Sequence, residues 1–111
     1  MAGAFVFSEK NVAAFGSTFI DVLADYWRPY IQQVGVDEKV YFYYDLFYGN
    51  IDFSELTQKQ YMQCYKQIEK AIEVDLERIE NFYNHYPKEL VYKAWFNEIK
   101  PKMQSSPLYQ S

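Results

Sequence analysis

No glycine or proline occurs between residues 50 and 86 of this 111-residue chain, and that uninterrupted run constrains the fold more than any other feature. Chain reversals and helix ends lean on those two residue types, so a long stretch without them has to be mostly regular. Thr57-Gln58-Lys59-Gln60 has the form of a capping box, in which the Thr hydroxyl and the Gln amide satisfy each other's backbone N–H groups. From there Tyr61, Tyr65, Ile68, Ile72, Leu76, Ile79 and Tyr83 recur every three or four residues, which is one face of an α-helix. The spacing predicts a long central helix over about 57–84, about 40 Å at ~1.5 Å per residue.

The flanks read in the same way. Ser8 or Asn11 caps a first helix with Val12, Phe15, Phe19, Leu23 and Tyr26 on its apolar face. Pro29 ends or kinks it, Tyr30 to Val34 add a turn or two, and Gly35 is the stop. Asn84-His85-Tyr86-Pro87 forms a turn, and Leu90, Val91, Ala94, Trp95 and Ile99 then line a C-terminal, Trp-bearing helix. Pro101 and Pro107 mark an irregular tail from about residue 101. At this length the chain is one domain, 1–111. The expected fold class is all-α, a single small domain of four to five helices.

Between Asp37, a good N-cap, and the stop at Gly49-Asn50 lies VYFYYDLFYGN, with six aromatic residues in positions 41 to 48. Its β-propensity is high, so strand and helix compete. At 100° per residue Val40, Phe42, Tyr43, Leu46 and Phe47 share one arc, while Glu38, Tyr41, Asp45 and Tyr48 share the opposite one. Strand alternation would put Phe47 with Asp45, away from Phe42 and Leu46. The helix sorts the residues better, and it sends Phe42, Tyr43, Leu46 and Phe47 to the core.

Charge narrows the function. The formal net charge is −4, with a sequence pI of about 4.9, a poor match for phosphate backbones or anionic lipid and a good one for a basic partner. From Asp37 to Glu55 there are five acids (Asp37, Glu38, Asp45, Asp52, Glu55) and one base, Lys39. Tyr interleaved with carboxylates is the composition of a face that docks on Lys and Arg, so the expected partner-binding residues are Glu38, Tyr41, Asp45, Tyr48, Asp52 and Glu55. The competing reading places every ring of this segment in the core.

The chemical inventory is thin. One histidine, His85, falls in a turn, and the lone Cys64 falls inside the long helix, where it reads as core. A single cysteine makes no intrachain disulfide and no cysteine zinc site, and it suits a reducing compartment. No phosphate-binding glycine loop, G-x-S-x-G or H-E-x-x-H occurs. Glu69, Glu73, Glu77 and Glu80 share a helix face, but Lys66, Lys70 and Arg78 stand close enough to pair, so that face reads as solvated rather than as a metal cluster. No apolar run has the length of a membrane span, and MAGAFVFSEK lacks a basic segment ahead of its short apolar piece. The expectation is a cytoplasmic protein without metal, cofactor or enzymatic activity. An enzyme or small-ligand binder would instead need a cavity near Tyr61, Tyr65 and Trp95.

YGNIDFSELTQKQYMQCYKQIEKAIE (residues 48–73) and AWFNEIKPKMQSSPLYQ (residues 94–110) resemble helical immunity proteins of bacterial toxin systems, such as those paired with contact-dependent growth inhibition toxins. The shared texture is a polar turn, an Ile-Asp step, a Leu-Thr cap, a long Tyr-rich helix and a Trp-bearing helix running into a proline-interrupted tail. The resemblance implies a cytosolic protein that binds one cognate toxin domain, in many cases a nuclease with a basic surface, and covers its active site or substrate surface. The acidic stretch from Glu73 to Glu80 is then a second candidate face. The alternative is a structural or adaptor subunit, a homodimer joined along the long helix.

Overall fold

The computed structural model describes residues 2–82 and 86–110, and it begins with strands. β1 (Ala2–Ser8) and β2 (Asn11–Gly16) form an antiparallel hairpin. β3 (Asn50–Asp52) pairs with β1 in parallel, which gives the order β2-β1-β3. The all-α expectation is therefore wrong: the fold is mixed, a three-stranded sheet packed with helices. Phe5 and Phe7 alternate inward, as strand residues must. The alternate positions Ala4 and Val6 are apolar too, which hides the period of two in the sequence. Ser8 and Asn11, read as helix caps, flank the hairpin turn, where Asn11 Nδ2 donates to Ser8 Oγ at 2.7 Å.

α1 (Ser17–Val34) buries Ile20, Leu23, Ala24, Tyr26, Trp27 and Ile31. Pro29 lies inside it. The carbonyl that loses its donor there belongs to Asp25, and both residues are on the exposed side, where water can replace the bond. Gly35 ends the helix in the left-handed region, with φ 84° and its N–H on Gln32 O. Two single helical turns follow, α2 (Asp37–Val40) and α3 (Phe42–Asp45), broken at Tyr41.

α4 (Gln58–Lys70) starts at the capping box, with both reciprocal bonds formed. It passes into a π turn (Ala71–Asp75) and a 3-10 turn (Leu76–Arg78), and the backbone is extended at Ile79. The helical path is thus 58–78, shorter than the expected 57–84; Tyr83 and His85 lie outside the described residues. Tyr61, Tyr65, Ile68, Ile72 and Leu76 are all buried, as is Cys64.

α5 (Lys88–Ala94) leads through a second π turn (Trp95–Ile99) into α6 (Lys100–Ser105). The expected irregular tail from 101 is helical as far as Ser105. Pro101 falls in the first turn of α6, where a missing N–H costs little. This end is tied to the sheet: Ser106 Oγ donates to Phe7 O, Lys102 Nζ to Val12 O and Asn11 Nδ2 to Ser105 O. The core centres on Trp27, against Phe5 at 4.9 Å and Trp95 at 6.5 Å between ring centres. Among the described residues no helix is long and apolar enough to cross a membrane.

Candidate functional site

The segment does not divide into the two expected faces: Val40 is buried and Glu38, Asp45 and Tyr48 are exposed as expected, but Tyr41, Phe42, Tyr43, Leu46 and Phe47 are misplaced. Tyr41 is fully buried, whereas Phe42 is 54% exposed, Tyr43 46%, Leu46 51%, Phe47 86% and Tyr48 68%. Among the described residues only three other large hydrophobics (Val74, Leu90, Phe96) are this exposed. The exposed rings are therefore concentrated in seven consecutive positions, unlike the singly scattered hydrophobics of an ordinary surface. The helical wheel fails because the helix is not continuous. After α2 the chain turns at Tyr41, and the side-chain phase starts again.

The loop is held firmly. Leu46 N–H donates to Tyr43 O, Phe47 N–H to Tyr44 O and Tyr48 N–H to Tyr43 O. Phe47 has φ 67°, a conformation that costs an L-residue roughly 1–2 kcal/mol. An exposed aromatic residue kept in that region stands at odds with stability alone. Gly49, at φ 77°, sends its carbonyl to Ala4 N–H at 3.1 Å. The chain passes so close to β1 that a Cβ on Gly3 would stand 2.5 Å from Gly49 O.

Side chains brace the loop from α1. Tyr41 donates to Ala24 O at 2.8 Å under the Arg28 guanidinium, which sits 4.6 Å from its ring centre. Arg28 grips Asp45 with two bonds of 2.8 and 2.7 Å. That grip holds the Asp45 carboxyl below its usual range and the Arg28 guanidinium more firmly protonated. Burial pushes the Tyr41 hydroxyl well above its ordinary value. Tyr44 donates to Asp21 Oδ1 at 2.6 Å, and partial burial, then that bond, push its hydroxyl upward too.

The six expected partner residues thus divide. Tyr41 belongs to the core, which removes it from any docking face. Asp45 is exposed but engaged by Arg28. Tyr48, Glu38 and Glu55 are exposed. Asp52 is half-buried and accepts from both the N–H and the hydroxyl of Ser54. Asp52 and Glu55 come together with Lys39, Phe42 and Tyr43 around an open groove of about 190 Å³. Sequence reasoning missed Phe42, Tyr43, Leu46 and Phe47 as surface, and Asp21 and Asp25 on α1. The i, i+4 spacing of those two acids, away from the apolar stripe, was the available signal.

A second groove, lined by Gly3, Ser17, Ile20, Asp21, Tyr44, Phe47 and Gly49, lies on the other side of the loop. The acidic stretch of the long helix is less open than expected. Glu73 accepts from Trp95 Nε1 and from Lys100 Nζ, each at 3.0 Å, and Asp75 accepts from Tyr30. Tyr65 lines an open groove with Glu69 and Lys100, while Tyr61 and Trp95 are fully buried. Among the described residues no group of three or more His, Cys, Asp and Glu could hold a metal ion. Burial pushes the Cys64 thiol up to about 12, away from thiolate chemistry. No family model, no curated protein and no solved structure matches the chain.

Proposed function

We propose that this chain is a non-enzymatic protein-binding inhibitor, an immunity protein that neutralises a cognate toxin domain with a basic surface, such as a nuclease, in the bacterial cytoplasm. The observation that carries the reading is the hydrogen-bonded loop 42–48, which presents Phe42, Tyr43, Leu46, Phe47 and Tyr48 to solvent. Aromatic anchors surrounded by charge are the usual hot spots of protein interfaces. Asp52 and Glu55, with the single base Lys39, line the groove beside Phe42 and Tyr43, and Asp21 lines the groove beside Tyr44 and Phe47, so the net negative charge attracts and orients a basic surface on approach. The same charges repel a second copy at this face. The alternative homodimer along the long helix finds its apolar stripe already buried within the domain.

The test is affinity for the toxin domain encoded next to this chain, measured with Phe47→Asn and Tyr48→Ala. Asn tolerates positive φ, so Phe47→Asn removes the ring while relieving the backbone. Each variant should weaken binding at least tenfold with no loss in thermal stability, and protection of cells from the toxin should fall with it. Wild-type affinity in both variants, or a toxin domain that does not bind the chain at all, would overturn the reading.

A further inference from the structure

The groove between α1 and the ring loop is similar in size to its neighbour but differs from it in lining. It measures about 170 Å³, close to the ~150 Å³ that holds one benzene-sized group and well short of the ~300–1,000 Å³ of ordinary ligand pockets. One side chain fits; a cofactor does not. Its walls are mostly apolar, from Ile20, Phe47, the ring of Tyr44 and the two glycines Gly3 and Gly49, with Ser17 as a polar member. Its charged member is Asp21, whose Oδ1 is fixed by the Tyr44 hydroxyl. Asp25 also acts on that hydroxyl electrostatically, whereas the charge of Asp45 is offset by Arg28.

We propose that this groove receives one arginine or lysine side chain of the partner protein. An apolar channel with an anionic mouth suits a side chain that combines an aliphatic stem with a cationic head. The rings of Tyr44 and Phe47 add their faces to the attraction for the cation. Phe47 then has two roles, an exposed contact on one side and a pocket wall on the other, which accounts for an aromatic residue at φ 67°. The inference rests on the reading of the ring loop as a partner-binding face and gives that partner a specific requirement, a protruding basic residue at the contact.

The experiment titrates the whole protein with N-acetyl-arginine methylamide and follows backbone amide shifts. The neutral control is N-acetyl-norleucine methylamide, which has a similar stem and no charge. Saturable shifts at Gly3, Ile20, Asp21 and Gly49 with the arginine probe, weakened roughly fivefold or more in Asp21→Asn and much smaller with norleucine, are the expected result. Absence of shifts at these amides, or equal shifts with both probes, overturns the pocket. The two ideas fail separately. A silent titration alongside toxin binding that still depends on Tyr48 removes the pocket only, whereas toxin binding indifferent to Phe47 and Tyr48 removes the face.

Discussion

Tyr41 offers the sharpest test of the reassigned rings, because contact residue and core residue predict different outcomes for the same substitution. In Tyr41→Phe the ring remains under Arg28 and only the hydroxyl bond to Ala24 O is lost. Ala24 lies mid-helix in α1, so its carbonyl keeps its ladder bond and is not orphaned. The cost is that of one neutral hydrogen bond, about 1 kcal/mol. Tyr41→Ala removes a fully buried ring and should cost about 3–5 kcal/mol, much of the 5–15 kcal/mol that holds a typical domain together. Trp27 and Trp95, both buried, report unfolding by fluorescence. At an m value of about 1.5 kcal/mol/M the urea midpoint falls by about 0.7 M for Phe and by 2 M or more for Ala. Phe at 41 should leave partner affinity unchanged. An unshifted midpoint in Tyr41→Ala, or a tenfold loss of affinity in a stable Tyr41→Phe, would refute the core assignment and restore Tyr41 to the docking face.

Gly35→Ala places a Cβ at φ 84° and should cost about 1–2 kcal/mol in thermal denaturation; an unchanged melting temperature would mean that the helix ends differently. Asp45 has its carboxyl held low by the Arg28 hydrogen bonds. A depressed folded value contributes stability above the ordinary carboxylate range and loses it as pH falls through the folded value. The advantage of wild type over Asp45→Asn should therefore be present near neutral pH and vanish in acid, and it should be small because both partners are well exposed. A gap that widens on acidification would contradict the pairing. Cys64, buried and with its thiol raised to about 12, should react with a thiol reagent on the order of a hundredfold more slowly in the native protein than in urea; equal rates would show that the site is open.

What was legible in the sequence was local. The capping box at Thr57, the stripe from Tyr61 to Leu76 and the stop at Gly35 each depend on neighbours within a turn, and each is present. The hairpin was illegible because Ala4, Val6, Val12 and Ala14 fill both faces of the strands with apolar residues. Spacing then suggested a helix through Val12 and Phe15. Ser8 and Asn11 carry short polar side chains that serve a turn as well as a cap. The acids at Asp52 and Glu55 were found from charge alone, and with Phe42 and Tyr43 they line one groove. The rings are misassigned because the 100° wheel assumes one continuous helix, whereas the chain breaks at Tyr41. Tyr41 has a backbone carbonyl and a guanidinium within reach, whereas Phe47 is held in a turn that points away from an already filled core.

The order β2-β1-β3 also bears on when the ring loop takes shape. Val6 meets Val12 six positions along the chain and Asp52 forty-six positions along it. Closing the longer loop costs roughly 2 kcal/mol more in chain entropy, so the hairpin can form early while the parallel strand has to wait for α1 to assemble. The ring loop leads directly into that late strand and is tied to β1 by the Gly49 carbonyl on Ala4 N–H. A partially folded chain would therefore have its hairpin but no organised ring loop. On the proposed reading, competence to bind would be a late kinetic checkpoint, visible in refolding as a lag between recovery of Trp burial and recovery of partner capture.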